Sequence, residues 1–397
     1  MDKPKGSVKK YLAFVMIYFF NLLPVKKNKI IFFSYYGSQY GCNPKYITEY
    51  ILKNYPGNTF DIVWAYTDPS SKPDRKGIRK VRTMSIKYFY ELCTSKVIIT
   101  NFRTTELFVK RKNQYYIQTW HSSLRLKQIE KDAEESLPLH YVQNAIKDSG
   151  KCDLLLSGCD YSTQTFKRAF WYEGEIFECG TPRNDVLFHT DPEMKTRIFQ
   201  QLNIPKESRI ILYAPTFRKN HNLDVYNLDF QSILEKLKNQ IGGKWVILVK
   251  LHPHLILKSN QLAVGPNVMD VTSYDDTQEL LSIADILISD YSSLMFDFSI
   301  TLRPCFLFIP DLMDYMKNER DLYFDIKELP FISAFSNKDL IEKIENFDKE
   351  KYKKDLNEFL LTVGSYEDGK ASEKLLHKIY EVAFSRKRRK VYAREAL

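Results

Sequence analysis

Glycine is scarce in this chain: 14 of 397 residues, about half its usual share. Few positions can therefore take the positive φ that glycine-rich phosphate loops require, and neither GxGxxG nor GxxxxGK[ST] occurs. The simplest dinucleotide-binding and P-loop readings are excluded. Cysteine is sparse as well. The six cysteines (Cys42, Cys93, Cys152, Cys159, Cys179 and Cys305) contain no CxxC pair, so scattered core thiols in a reducing compartment are the expectation, not a disulfide framework. No apolar run reaches the roughly 20 residues of a membrane-spanning helix, and no internal repeat or low-complexity tract is present. Acidic residues are in the minority: 59 Lys and Arg face 49 Asp and Glu, a net +10 that favours an anionic partner without saying which.

What is present points to a folded, multi-part molecule. Hydrophobic residues make up 44% of the chain and charged residues 27%, with 26 Tyr and 26 Phe, which rules out wholesale disorder, and the length allows two or three cored domains. The most apolar stretch, Tyr11 to Val25, is flanked by Lys3, Lys5, Lys9 and Lys10 on one side and by Lys26, Lys27 and Lys29 on the other. It is too short to span a bilayer and lacks a small-residue cleavage pattern. The expectation is an interfacial anchor on an anionic membrane surface, against the alternative of a first helix packed on the domain. A second basic cluster, Arg386 to Lys390, closes the chain.

Beyond the anchor, short β-rich runs alternate with helical stretches. Strands are predicted near Ile30–Tyr35, Phe60–Tyr66, Val97–Thr100, Tyr115–Thr119, Asp153–Ser157 and Glu175–Cys179, and again near Arg209–Tyr213, Trp245–Leu251, Val268–Thr272, Asp285–Ser289 and Cys305–Ile309. Such alternation predicts an α/β fold of parallel sheets covered on both faces. The predicted division is a membrane-associating segment (1–27), a first α/β domain (28–190), a linker helix (191–208), a second α/β domain (209–335), and C-terminal helices with a basic tail (336–397). Two parallel sheets facing each other leave a cleft at the carboxyl ends of their strands, where ligands of such sheets bind.

The polar motifs fall just after predicted strands. His121 follows Tyr115–Thr119 and is a candidate general base for a hydroxyl. Thr216 and Arg218 follow the strand ending at Tyr213, and Arg offers a planar fork for phosphate oxygens. Lys250, His252 and His254 close the next strand. No cysteine or carboxylate lies close enough in sequence to complete a metal site with the two histidines, so charge neutralisation of a phosphate is the better reading. Asp290, Ser292 and Ser293 separate an apolar strand from an apolar helix, a turn whose N–H groups could meet an anion without glycines. A nucleic-acid interface is not expected, because the basic clusters sit at the chain ends and not interleaved with aromatics.

Six segments in order, QTWHSSLRLKQIEKD (Gln118–Asp132), GTPRND (Gly180–Asp185), YAPTFR (Tyr213–Arg218), VKLHPH (Val249–His254), SDYSSLMFDF (Ser289–Phe298) and SYEDGKASEK (Ser365–Lys374), resemble the CDP-glycerol glycerophosphotransferase family. Its members are the teichoic-acid primases and polymerases, with related capsule enzymes, of Gram-positive bacteria. The likeness runs from about Ile30 to Phe384. It implies a GT-B-like fold at the cytoplasmic face of the membrane that transfers glycerol phosphate from CDP-glycerol to a lipid-linked or polymer acceptor and releases CMP. Ribitol phosphate from CDP-ribitol, or a sugar from a nucleotide sugar, are the alternatives. By the family pattern His121 would take the acceptor's proton, while Arg218, His252, Ser292 and Ser293 would hold the donor pyrophosphate. Asp297 would lie near the ribose or in a structural bond. No resident cofactor is implied, although Mg²⁺ could accompany the donor. Ser122 departs from the pattern, since many family members have Gly after the motif's His.

Overall fold

A computed structural model of the protein describes residues 5–189, 191–218, 224–252, 265–318 and 321–384. The predicted His254 and the basic cluster Arg386 to Lys390 lie outside them. Two wholly parallel sheets organise the chain. The first has seven strands: β1 (Lys26–Phe33), β2 (Asp61–Tyr66), β3 (Ile78–Arg82), β4 (Ser95–Thr100), β5 (Tyr115–Gln118), β6 (Leu154–Ser157) and β7 (Glu175–Glu178), ordered β3-β2-β1-β4-β5-β6-β7. The second has six: β8 (Ser208–Tyr213), β9 (Lys244–Val249), β10 (Val268–Asp270), β11 (Ile286–Ser289), β12 (Cys305–Phe308) and β13 (Ile332–Ala334), ordered β10-β9-β8-β11-β12-β13. Both orders reverse once, between β1 and β4 and between β8 and β11, and ligands of such sheets gather at that reversal.

Central strands are apolar on both faces because helices cover both. Ile30, Ile31 and Phe32 of β1 are buried, as are Ile210, Ile211 and Leu212 of β8. Strands β3 and β13 escaped the sequence reading. Each lies at a sheet edge, and IRKVR in β3 carries charge where a central strand would carry hydrophobes.

The charge-rich C-terminal region crosses between the halves. Helix Lys349–Thr362 contributes Tyr352 and Leu356 to the second sheet's core, while Ala371–Phe384 contributes Leu375, Leu376 and Ile379 to the first. The N-terminal helix Lys5–Phe20 buries Ala13 and Ile17 (each 1% exposed) against Phe89 and Cys93. Val8, Tyr11, Leu12, Val15, Tyr18, Phe19 and Leu22 recur every three or four residues and stay exposed, Leu22 by 82%. Packing on the domain and presenting an apolar stripe outward thus occur together, since an all-round apolar helix has two faces to give. Among the described residues no helix is long and apolar enough to cross a membrane. Lys29, expected among the lysines meeting lipid, is instead buried in β1 and bonded to Glu91 and Thr94.

Candidate active site

At the second sheet's reversal, β8 and β11 deliver their polar ends to one another. Asp290 is buried and accepts the Thr216 N–H on both carboxylate oxygens, at 2.9 and 3.0 Å. Arg218, expected to reach into the cleft for phosphate, is instead folded inward. Its guanidinium pairs with Asp290 at 2.9 Å and Asp311 at 2.7 Å, and it donates to both the carbonyl and the hydroxyl of Thr216 at 2.7 Å. Two carboxylates around one buried guanidinium leave it no surplus charge for a ligand, so here Arg218 braces the turn. Tyr291, between Asp290 and Ser292, donates to Asp311 at 3.1 Å and stacks on Tyr315.

Ser292 and Ser293 remain partly exposed at the start of helix Leu294–Ser299. The Ser292 hydroxyl accepts the Leu294 N–H at 3.3 Å, while Ser293 stands at the cap position without a side-chain capping bond. Asp297 on that helix is fully buried, and it is bonded by Arg183 and, at 3.1 Å, by the Asn184 amide from the first half. It does not line the cleft. Of the two sequence expectations for Asp297, the structural bond is the one present.

The strand β9 ends in Lys250, Leu251 and His252. Lys250, expected to neutralise phosphate, donates to the carbonyls of Thr272 (2.8 Å) and Tyr274 (2.5 Å), and burial lowers its pKa to about 8. It ties the end of β9 to the segment after β10. His252 is exposed, with its ring 5.6 Å from that of Phe217.

His121 stands two residues beyond Thr119, where β5 has ended. Trp120 takes φ +50, in the left-handed region that a bulky residue enters only under constraint. The constraint is Asn43, which is fully buried at the start of helix Cys42–Asn54. Its Nδ2 donates to the carbonyls of Thr119 (3.2 Å) and Trp120 (3.1 Å), and its Oδ1 accepts the Arg183 N–H at 3.0 Å. The turn so formed stacks the imidazole on the Trp120 ring at 4.6 Å. His121 is exposed to solvent, yet protein crowds it enough to push its pKa down to about 3. Burial is the largest cause, followed by the positive charges of Arg183 and Arg125, while the Asn101 backbone carbonyl acts in the opposite direction by accepting a ring N–H. A neutral ring with one nitrogen donating to that carbonyl presents a lone pair on the other. Asn101 also spans the first sheet's reversal, its Oδ1 accepting the Tyr35 N–H at 3.0 Å.

His121 and the serine turn are mechanically connected. Arg183, beside His121, bonds Asp297, which lies one helical turn beyond Ser293. Around this link the halves exchange buried bonds: Gln278 to Asn184 at 2.6 Å, and Lys45 to Asp276 and Glu279. Sequence reading missed Asn43, Asn101 and Arg183 as builders of the site. Only Arg183 had a signal, as part of the GTPRND segment. Asn43 and Asn101 act on backbone carbonyls and N–H groups far away in sequence, which no local pattern encodes.

Residues 15–381 match the family model for CDP-glycerol:poly(glycerophosphate) glycerophosphotransferases. The chain is 33% identical over 375 residues to the teichoic acid poly(glycerol phosphate) polymerase of Bacillus subtilis strain 168, covering 90% of this chain and 49% of that one. It is thus about half the length of that relative. Over 393 residues it is 31% identical to the teichoic acid glycerol-phosphate transferase of Staphylococcus aureus strain NCTC 8325, covering 95% and 100% of the two chains. Its fold superimposes on the solved wall teichoic acid polymerase TagF with a TM-score of 0.82 at 30% identity, covering 96% of this chain and 99% of that one. Two parallel sheets meeting at their carboxyl ends, and a sequence match over nearly their whole extent, lead to one conclusion: the chain belongs to the CDP-glycerol:poly(glycerophosphate) glycerophosphotransferase family.

Proposed function

We propose that the protein transfers glycerol phosphate from CDP-glycerol to the hydroxyl of a lipid-linked or polymer acceptor in teichoic acid synthesis, releasing CMP. The observation that carries this reading is a neutral, solvent-exposed imidazole just beyond β5 in a chain of this family. The acceptor oxygen attacks the phosphorus that bears glycerol. Its proton passes to the lone pair of His121, and the bond from that phosphorus to the bridging oxygen breaks, so CMP leaves with the new negative charge on its phosphate. Stabilising that charge falls to His252 and to the turn at Ser292 and Ser293, while Arg218, Asp290, Thr216, Lys250 and Asp297 hold these groups in place. The reading needs no resident metal, and any Mg²⁺ would enter with the donor.

The exposed stripe on the N-terminal helix, with Lys9 and Lys10 on the same helix and Lys26 and Lys27 just beyond it, supports a peripheral position on an anionic cytoplasmic membrane face. The experiment for the reaction is nucleotide release, CMP from CDP-glycerol or CDP-ribitol and nucleoside diphosphate from a nucleotide sugar, each with and without a membrane-extracted acceptor. Acceptor-dependent CMP from CDP-glycerol is expected. Turnover of CDP-ribitol alone would change the donor, and turnover of a sugar nucleotide alone would overturn the reaction class.

A further inference from the structure

Arg125 is an anomaly in the loop that carries His121. It is 3% exposed, and among the described residues no carboxylate pairs with it. Its Nη2 donates to the Ser122 carbonyl at 3.3 Å, its guanidinium lies 4.3 Å from the centre of the Phe166 ring, and Nε and Nη1 have no hydrogen-bond partner. The titratable groups around it are Cys159, Tyr161 and Tyr323, all uncharged near neutral pH. Burying an unneutralised guanidinium is costly. A hydrophobic residue would fill the space beside Phe166 without that cost, so packing alone does not account for an arginine here.

We propose that Arg125 is a positioning residue for the transfer reaction: it fixes the backbone just after His121 through the Ser122 carbonyl and sets an uncompensated positive charge beside the imidazole. The inference rests on the reading of His121 as the base. The groups facing His121 are few. Arg183 comes from the turn after β7, Arg125 from its own loop and the Asn101 carbonyl from the end of β4, with no carboxylate among the charges acting on it. Arg183 pairs with Asp297 and still acts on the ring more strongly than Arg125, whereas Arg125 has no carboxylate partner among the described residues. Both guanidiniums disfavour imidazolium, which keeps the lone pair available. Asn43 on one side of His121 and Arg125 on the other hold the carbonyls of residues 119, 120 and 122, so the ring is fixed from both directions.

The test is a histidine-labelled NMR titration of the full chain, with the His121 signal among the seven histidines assigned by its loss in His121→Gln. In the unaltered protein the ring should remain neutral to below about pH 5, and a midpoint near the ordinary 6.5 would overturn the proposal without any variant of Arg125. In Arg125→Met the midpoint should rise by about half a unit or more, while Arg125→Lys, which keeps the charge, should leave it near the unaltered value. Equal midpoints in folded Arg125→Met and unaltered protein would also overturn it. If Arg125→Met does not fold, Arg125→Gln serves as the neutral variant. CMP release read across the same pH range separates the two claims. A moved NMR midpoint whose shift the acid limb of CMP release does not follow overturns Arg125 as a positioning residue for transfer together with His121 as the base, whereas an NMR midpoint unmoved by the variant overturns Arg125 alone.

Discussion

At the scale of single residues, the lowered pKa of His121, the proposed base, has consequences in two directions. His121→Ala should lower CMP release by at least ~10²-fold, the usual contribution of a general base, with the thermal midpoint changed little. His252→Ala should fall by a comparable ~10²-fold if it stabilises the charge that develops on the phosphate of the leaving CMP. A near-normal rate in either variant would remove that residue from the mechanism. The pH profile of the unaltered enzyme should lack the acid limb near 6.5 of an ordinary histidine, because the folded-state pKa lies near 3. Stability follows the same sign: between these values the unfolded chain binds more protons, so His121 makes the fold less stable as pH falls from about 6.5 towards 3. Asn43 works through the backbone. Asn43→Ala orphans two carbonyls and the Arg183 N–H, each costing about 1–3 kcal/mol if left unpaired. Chemical denaturation should show the loss, and kinetics should show kcat falling more than KM for CDP-glycerol changes.

At the scale of elements, the N-terminal helix carries one buried and one exposed apolar stripe, and variants can separate the packing role of the first from the membrane role proposed for the second. Leu12→Glu with Phe19→Glu places charge on the exposed stripe, so sedimentation with anionic vesicles should drop sharply while the thermal midpoint holds. Ile17→Glu places charge in the contact with Phe89 and Cys93, and should lower the thermal midpoint instead. Undiminished vesicle binding by the double variant would move the membrane contact elsewhere on the molecule. The serine turn shows how an element can be recognised while the surroundings of its side chains are not. An apolar strand, four polar residues and an apolar helix were legible as strand, turn and helix, yet which side chains stay open depended on Asp290, Arg218 and Asp297 finding buried partners in turns that follow other strands.

At the scale of the whole molecule, the bonds between the halves tie the His121 loop to the serine turn. Arg183→Met would leave Asp297 buried without its cation, and breaking such a pair costs about 3–5 kcal/mol. Removing both charges in Arg183→Met/Asp297→Leu should recover a large part of that stability in urea unfolding but not the transfer rate, because the link from His121 to the serine turn is then apolar. Recovery of both would mean that the pair holds the fold and nothing more. Glu367 reports on the same region. It accepts the Thr181 N–H at 3.1 Å and the Asn184 amide at 3.3 Å, and burial pushes its pKa up to about 8. The folded state then binds more protons than the unfolded between about 4.3 and 8. This group's contribution to stability is therefore present in acid and lost as pH rises through 8, and Glu367→Gln should remove that slope from the pH dependence of the thermal midpoint.

The two parallel sheets follow from the order of residues alone, because strands buried on both faces must be apolar runs and helices must intervene between parallel neighbours. That order also determined that polar segments follow those strands, and His121 and the serine turn were readable for that reason. Edge strands β3 and β13 were not, since an edge need not be apolar. Tertiary structure alone decided which polar side chains stay open. Arg218, Lys250, Asp290 and Asp297 looked like ligand groups in one dimension, but a charged group brought into the interior needs a partner. The partners, Asp311, two backbone carbonyls, the Thr216 N–H and Arg183, are 21 or more residues away or reached only by folding. The same holds for Asn43, whose bonds set the direction of His121 across 76 residues of chain.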